Sequence, residues 1–289
     1  MLYLLLASLV WAFSYGLIKG ELAGLDATAV AVLRLVCAAL IFLPFLRLKK
    51  IPRRAVWRLA VIGAVQFGLM YVVYLKAFAF LAAHEVVLFT IFTPVYVALL
   101  DGALERTWRW RHLGAALLAL IGAGVILWHR APGSHVATGF LLMQLSNLCF
   151  AAGQLAWRKE RARLKNVTER EAFGLLYLGA VAAGLIASLF TTDWTAFRPD
   201  LTQLGVIIYL GVIASGVGFF WWNLGALRVN SGTLAVMNNS KIPIGVIVSL
   251  LLFGERLGDR NDTAIFLTGV MLMILGVGLA ENWFTRKKT

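Results

Sequence analysis

Ten apolar runs, each close to the length of a membrane-crossing helix, occupy most of this 289-residue chain. A helix needs about 20 mostly apolar residues to cross the hydrocarbon of a bilayer, because each residue rises about 1.5 Å. The chain is 61% hydrophobic and 14% charged, whereas a soluble domain is typically about 45–50% apolar and about 25% charged. The sequence therefore predicts an all-α polytopic membrane protein with spans near 2–18, 27–46, 57–80, 84–103, 110–128, 138–157, 172–190, 202–223, 231–253 and 262–283.

Positive charge is concentrated in the loops and strongly favours one side of the membrane. If the N-terminus is cytoplasmic, nineteen of the 27 Lys and Arg residues fall in cytoplasmic loops and five in the opposite loops. Because basic loops tend to stay in the cytoplasm, this bias predicts a multi-pass protein of the cell (inner) membrane with both termini cytoplasmic. The loops also account for the net charge of +13 without nucleic acid, since no basic face interleaved with aromatic residues occurs.

Two stretches of the chain, 74–108 and 223–258, resemble each other. Pro94 aligns with Pro243 at an offset of 149 residues, and alanines upstream share that offset. After one inserted residue a Glu-Arg pair follows in each stretch, and a Gly-x-Gly pair lies further on. The common order of these identities indicates an internal repeat.

The repeat unit contains five spans, and an odd number inverts the second copy relative to the first. The sequence therefore predicts ten transmembrane helices as two inverted five-helix repeats around a central cavity. Residues 1–130 form the first repeat and residues 131–289 the second. Proteins built this way place their substrate site near the membrane midplane, between the halves, and work by alternating access.

Several segments of the chain resemble the EamA family of the drug/metabolite transporter superfamily. They are the tryptophan of "LVWAFSYGLIKG", the arginine of "VAVLRLVCAAL", and the paired segments "TPVYVALLDGALER" and "IPIGVIVSLLLFGER". The resemblance covers essentially the whole chain. It implies two EamA-like five-helix repeats and export of amino acids, metabolites or toxic compounds. More distant relatives exchange nucleotide sugars or sugar phosphates.

Lys241 lies about 15 Å deep in the ninth predicted span, by helical rise. A lysine at that depth costs about 2.5–3.5 kcal/mol on insertion scales, so it should face a polar cavity. Asn238 lies on the same helix face, and Pro243 cannot donate to the carbonyl of Asn239, which leaves that oxygen free. Together these groups predict a seat for a carboxylate. Alternatively, Lys241 satisfies that carbonyl and locks two helices together.

Five further candidates for substrate contact lie within other spans. Amides and aromatic rings at such depths either line a cavity or pack helices together, and both alternatives remain open. Three of them are predicted to share the midplane layer of the lysine because their depths match. The candidates are Trp11, Gln66 and Asn147, which share that layer, together with Tyr15 and Tyr74.

A second group, His84, Glu85 and Arg34, is predicted as a possible proton or charge relay near the outer face. Glu85 would also stabilise the first turn of the fourth helix, where acids are favourable, and this capping role is favoured. Arg34 is predicted to pair with Glu85 between helices.

Pro94 and Pro243 are predicted helix hinges, because proline interrupts the helical hydrogen-bond ladder. Several glycines, Gly63, Gly122 and Gly269 among them, are predicted to allow close helix contact.

No metal site, cofactor or catalytic site is predicted. Both cysteines, Cys37 and Cys149, lie inside apolar runs, and the four histidines have no metal-ligand spacing. No phosphate-binding loop occurs, so energy would come from an ion gradient or from exchange.

The sequence thus predicts a secondary transporter, not an enzyme, that moves small metabolites across the membrane, with export as the expected direction. The expected solutes are amino acids or other carboxylate-bearing or amphipathic molecules. Its partners would be this small-molecule substrate and membrane lipid, with the chain a monomer or a weak homo-oligomer. The alternatives are a sugar-phosphate or nucleotide-sugar exchanger, a lipid flippase, a membrane-embedded enzyme, or a non-catalytic partner subunit.

Overall fold

The computed structural model describes residues 1–127, 136–252 and 260–283, and over these ranges the chain is helical with no strand. Eight of its helical runs are long and apolar enough to cross a membrane. This confirms the prediction of an all-α polytopic membrane protein. The runs are Leu2–Gly20, Ala27–Phe45, Arg53–Ala77, His84–Glu105, Val136–Arg163, Glu169–Thr191, Leu201–Ala226 and Thr263–Ala280.

Several of these runs consist of more than one helix. The α-helices are α1 (Leu2–Gly20), α2 (Ala27–Phe42), α3 (Arg53–Gly63), α4 (Met70–Ala77), α5 (Ala83–Phe89), α6 (Thr93–Glu105), α7 (Trp110–Ile126), α8 (Val136–Arg163), α9 (Glu169–Thr191), α10 (Leu201–Tyr209), α11 (Gly218–Ala226), α12 (Ser231–Met237), α13 (Lys241–Leu252) and α14 (Arg260–Ala280). Wider π-helical turns join α3 to α4 at Ala64–Leu69 and α10 to α11 at Leu210–Val217.

The fifth and ninth predicted spans differ from the other eight. The fifth corresponds to α7, an apolar helix of 17 residues. The ninth is broken into α12 and α13 by a turn over residues 238–240. The break has a local cause, because Pro243 supplies no backbone N–H and the Asn-Asn-Ser sequence of the turn competes for backbone hydrogen bonds.

A similar break divides the fourth span. α5 gives way to a 3₁₀ turn over Thr90–Phe92, and α6 then begins with Pro94 at its second position. Pro243 occupies the third position of α13, so each proline follows a break by two or three residues. The residues predicted as hinges therefore lie at helix interruptions.

Side-chain caps mark the starts of several helices. An oxygen of the residue before the helix accepts from a backbone N–H in the first turn, which satisfies one of the unpaired donors there. The capping residues are Asp26 for α2, Thr168 for α9, Asp200 for α10 and Asn230 for α12.

Glycines bring two pairs of helices into backbone contact. A Cβ on Gly122 of α7 would lie 2.6 Å from the carbonyl oxygen of Gly269 of α14, and one on Gly269 would lie 2.5 Å from that of Gly122. A Cβ on Gly63 would lie 1.8 Å from the carbonyl oxygen of Leu176 in α9. The predicted role in close helix contact is confirmed for these three glycines, whereas it is wrong for Gly124, where a Cβ would meet nothing within 4 Å.

Candidate functional site

A cavity of about 590 Å³ lies among α1, α2, α4, α6, α8, α11 and α13. It is partly open, so this volume includes space continuous with the outside of the protein. Spans from both halves of the chain contribute side chains, which is the arrangement predicted for a central cavity. The cavity is thus the candidate substrate site.

The charged side chains that line this cavity are both cationic. They belong to Arg34 of α2 and Lys241 of α13, and no Asp or Glu is among the described lining residues. Two cations without a lining carboxylate make the cavity electrostatically suited to an anion, because like charges in a site of low dielectric repel each other.

Arg34 is held rigidly and keeps part of its guanidinium unused. Its Nε donates to Ser215 Oγ at 3.3 Å and its Nη2 to Tyr71 Oη at 2.9 Å. The guanidinium also lies 4.6 Å from the centre of the Tyr71 ring. Nη1 has no partner among the described residues, although the side chain is only 2% exposed. These contacts replace the predicted pairing with Glu85 and leave donors for a ligand.

Lys241 is the first residue of α13 and is partly buried. Its amine has no hydrogen-bond or ion-pair partner in the described part of the chain. Burying a cation without such a partner is energetically costly. The carbonyl of Asn239, predicted to be free, accepts from the N–H of Ile242 at 3.0 Å. A cation at a helix N-terminus is also unfavourable for the helix dipole, so a bound anion would stabilise this lysine on both counts.

Aromatic residues form one wall of the cavity. Trp11 donates its indole N–H to the carbonyl of Ala214 at 2.9 Å, which fixes the ring. Its centroid lies 5.0 Å from that of Phe219 and 5.9 Å from that of Phe150. Such a cluster presents ring faces and edges to a flat or apolar ligand body.

Asn147 lines the same cavity from α8. Its Nδ2 donates to the carbonyl of Phe89 at 2.8 Å and to Gln144 Oε1 at 3.3 Å. No donor to its Oδ1 occurs within the described ranges, so this oxygen is available to accept a hydrogen bond from a ligand.

Three of the predicted substrate-contacting amides do not line the cavity. Gln66 is fully buried and donates to Asn223 Oδ1 at 3.2 Å. Asn238 donates to the carbonyl of Leu234 in its own helix at 2.8 Å. Asn239 donates to the carbonyls of Ile91 and Ala119 at 3.1 and 3.2 Å, and so joins the break in the ninth span to neighbouring helices. Gln66 and Asn239 thus join helices, as in the alternative interpretation, whereas Asn238 bonds within its own helix.

The remaining candidates have varied positions. Tyr74 lines the cavity, whereas the side chain of Tyr15 lies outside the described residues. Glu85 accepts from the backbone N–H of Ala82 at 2.8 Å, in the geometry of a helix cap. His84, beside it at the start of α5, is partly exposed.

Sequence reasoning missed the aromatic residues Phe150 and Phe219 and the two hydroxyl partners of Arg34, which are Tyr71 and Ser215. The spans contain many aromatic residues, so a ring in the sequence does not indicate which helix face it occupies. Arg34 could have indicated that such partners exist, because a buried guanidinium requires hydroxyl or carbonyl partners on neighbouring helices.

A largely buried polar cluster lies at the end of the bundle that carries the α6–α7 connection. Ser231 of α12 donates to Asp101 Oδ1 at 2.7 Å, and Arg158 of α8 donates to Ser231 Oγ at 3.0 Å. His112 Nδ1 of α7 lies 3.8 Å from Asp101 Oδ2. Hydrogen bonds therefore join α6, α8 and α12 at this end, and His112 brings α7 beside them.

Residues 1–128 match the model of the EamA-like transporter family. The chain is 40% identical over 258 residues to a probable biotin transporter of Pseudomonas aeruginosa, covering 89% of this chain and 90% of that protein. It is 35% identical over 285 residues to the biotin transporter of Escherichia coli K12, covering 98% and 93%.

Two more distant similarities concern a eukaryotic relative and the fold. A GDP-mannose transporter of Schizosaccharomyces pombe is 29% identical over 234 residues, covering 73% of this chain and 66% of that protein. A solved structure, described only as the crystal structure of a protein, has a TM-score of 0.75 at 18% identity, covering 99% of this chain and 98% of that one. The overall fold is therefore one already seen by crystallography.

Proposed function

This chain belongs to the EamA-like transporter family, which consists of transporters rather than enzymes, and we propose that it transports biotin or a closely similar carboxylate. The observation that carries the proposal is the pair of cations, Arg34 and Lys241, in a cavity whose described lining has no acid. The names of the bacterial relatives point to the same class of solute.

Each chemical group of biotin has a suitable partner among the residues that line the cavity. Its carboxylate is an anion that Arg34 Nη1 and the Lys241 amine can bind through charge-assisted hydrogen bonds. Its fused ring system is compact and largely apolar on its faces, which suits the wall formed by Trp11, Phe150 and Phe219. Its urea N–H groups can donate a hydrogen bond to Asn147 Oδ1.

An amino acid fits the cavity less well. Its ammonium group would lie close to two cations, and the described lining offers no carboxylate to balance it. None of the relatives named above is an amino-acid exporter, so the carboxylate part of the sequence-based prediction is retained and the amino-acid part is not. A nucleotide sugar is a second candidate, because one relative is a GDP-mannose transporter and two cations suit a diphosphate.

The proposal includes the ten-span architecture of two inverted five-helix repeats. Matching features support it: the fourth and ninth spans are both broken near a proline, and the third and eighth both contain a π-helical segment. Helix contacts also come in reciprocal pairs. α1 packs on α11 as α8 packs on α4, and α2 packs on the second π segment as α9 packs on the first.

Transport would proceed by alternating access to the cavity. The cluster of Asp101, Arg158 and Ser231, with His112 beside it, would hold one end closed, because its hydrogen bonds join helices of both halves. Moving the halves apart at this end requires these hydrogen bonds to break, and the solute could then leave on that side. The distribution of loop charge supports cytoplasmic termini in the inner membrane, which makes this the cytoplasmic end.

The proposal is tested with purified protein in liposomes, measuring entry of radiolabelled biotin. We expect saturable entry above that of protein-free liposomes, inhibited by excess unlabelled biotin and not by α-amino acids. A replacement of Trp11 by alanine should weaken uptake, because it removes one face of the aromatic wall. Absence of biotin entry, together with entry of GDP-mannose or an amino acid, would overturn the assignment.

A further inference from the structure

We propose that a buried amide layer beneath the cavity, formed by Gln66, Gln154 and Asn223, recognises the cyclic urea of the solute as it leaves the cavity. This inference rests on the proposed function, because it assumes a solute of the biotin type. It assigns specificity to residues outside the cavity lining.

The layer lies one helical turn from Phe150 and Phe219. These two members of the aromatic wall form the floor of the cavity on the side that faces the layer. On α11, Asn223 follows Phe219 by four residues and donates to its carbonyl at 2.9 Å. On α8, Gln154 follows Phe150 by four residues, and both aromatic residues line the cavity. Gln66 packs against this turn of α8, since a Cβ on Gly153 would lie 2.2 Å from the Gln66 Cβ.

Hydrogen bonds fix which way each amide group points. The Asn223 Nδ2 donates to a carbonyl, so its Oδ1 must accept, and Gln66 Nε2 donates to it at 3.2 Å. Trp222 Nε1 can only donate, and it donates to Gln154 Oε1 at 2.9 Å. The orientation of both glutamines therefore follows from partners that cannot exchange roles.

This orientation leaves one acceptor and one donor unused. Gln66 Oε1 and Gln154 Nε2 have no partner among the described residues, and both side chains are 0% exposed. Buried polar groups normally find partners, so two opposite unpaired groups in one layer indicate a missing ligand group. A urea supplies both counterparts, since its N–H can donate to Gln66 and its carbonyl can accept from Gln154.

The spacing along α11 suits a solute with two ends. Ser215, which contacts Arg34, precedes Phe219 by four residues, and Asn223 follows Phe219 by four. Ser215 and Asn223 are therefore eight residues apart, which corresponds to a distance of about 12 Å along the helix axis. A pentanoate chain separates the carboxylate of biotin from its urea by a length of this order. Phe219 now stacks on Phe67 at 4.8 Å, so this floor must open before the urea reaches the layer.

The first test uses the wild-type protein and three competitors against labelled biotin uptake. Desthiobiotin keeps the cyclic urea and the carboxylate but lacks the sulfur ring. Lipoate keeps a pentanoate and a sulfur ring but has no urea. We expect desthiobiotin to inhibit nearly as well as unlabelled biotin and lipoate to be about tenfold weaker or worse, because the layer would stay unpaired. Equal inhibition by lipoate and biotin would overturn the inference.

The second test assigns the discrimination to the layer. Gln66→Met and Gln154→Met remove the unpaired acceptor and donor with little change in volume. Each should lower biotin uptake about tenfold while leaving lipoate inhibition unchanged. Gln154→Glu keeps the acceptor for Trp222 and serves as the readout if a methionine variant does not fold. A biotin-to-lipoate ratio that stays at the wild-type value in the folded variants would contradict the assignment.

The two proposals fail in different ways. If wild-type protein does not transport biotin, the proposed function fails and the amide layer loses its ligand. If wild-type protein transports biotin but the glutamine variants discriminate as the wild type does, only the role of the layer fails.

Discussion

Replacing Lys241 with methionine should separate an effect on ligand binding from an effect on folding. The amine has no hydrogen-bond or ion-pair partner within the described residues, so its removal breaks no described contact. Methionine keeps the length of the side chain and removes a cation that is costly at this depth. The thermal stability of the detergent-solubilised protein without ligand should therefore stay the same or rise.

The affinity for biotin should fall in the same variant. A charge-assisted hydrogen bond is worth about 1.5–3 kcal/mol, and each 1.4 kcal/mol is a factor of ten in the dissociation constant. We therefore expect affinity to fall about 10- to 150-fold. Arg34, the other proposed ligand of the carboxylate, remains in this variant, so binding should weaken and not disappear.

Isothermal titration calorimetry of the purified protein measures this loss. The control ligand is the primary amide of biotin, which keeps the rings and the urea but has no negative charge. The Lys241→Met variant and the wild type should bind this amide with similar affinity. Equal weakening for biotin and its amide would refute the carboxylate contact, and so would unchanged biotin affinity.

Three further predictions concern neighbouring parts of the fold. Arg34→Met should lower both biotin affinity and the midpoint of thermal unfolding, because it removes two hydrogen bonds and a ring contact; a loss of affinity alone would contradict this dual role. Gly122→Ala should destabilise the protein by about 1–3 kcal/mol, because its Cβ would lie 2.6 Å from a carbonyl oxygen. Gly124→Ala, which meets nothing within 4 Å, is the control, and equal unfolding midpoints for the two variants would contradict the close contact. Ser231→Ala should cost about 1–3 kcal/mol of stability, because Asp101 loses its 2.7 Å donor; an unchanged unfolding midpoint would show that the cluster does not hold this end closed.

Hydropathy was sufficient to predict the helical membrane fold, because bilayer thickness restricts span length so strongly. The same reasoning did not predict that the span carrying Lys241 is two helices. Pro243, the predicted hinge, follows the break in this span by three residues, but its effect was expected at the carbonyl of Asn239. In the structure the turn tightens instead, and Ile242 donates to that carbonyl.

The site was predictable in depth but not in direction. Trp11, Asn147 and Lys241 were placed at one depth, and all three line the cavity. Gln66 has a comparable depth, yet it points into a packed interface below the floor. Depth follows from counting residues, whereas the direction of a side chain depends on helix rotation, which the π-helical segment around Gln66 alters locally.

Counterflow in proteoliposomes tests the central claim, that one cavity between the two halves carries the carboxylate and opens to each side in turn. Liposomes loaded with unlabelled biotin are diluted into a trace of labelled biotin, and the label inside is followed over time. A single alternating site predicts a transient accumulation of label above its equilibrium level, which should vanish when Arg34 and Lys241 are both replaced by methionine. A label that rises steadily to equilibrium without an overshoot, or an overshoot that survives the double replacement, would contradict the account.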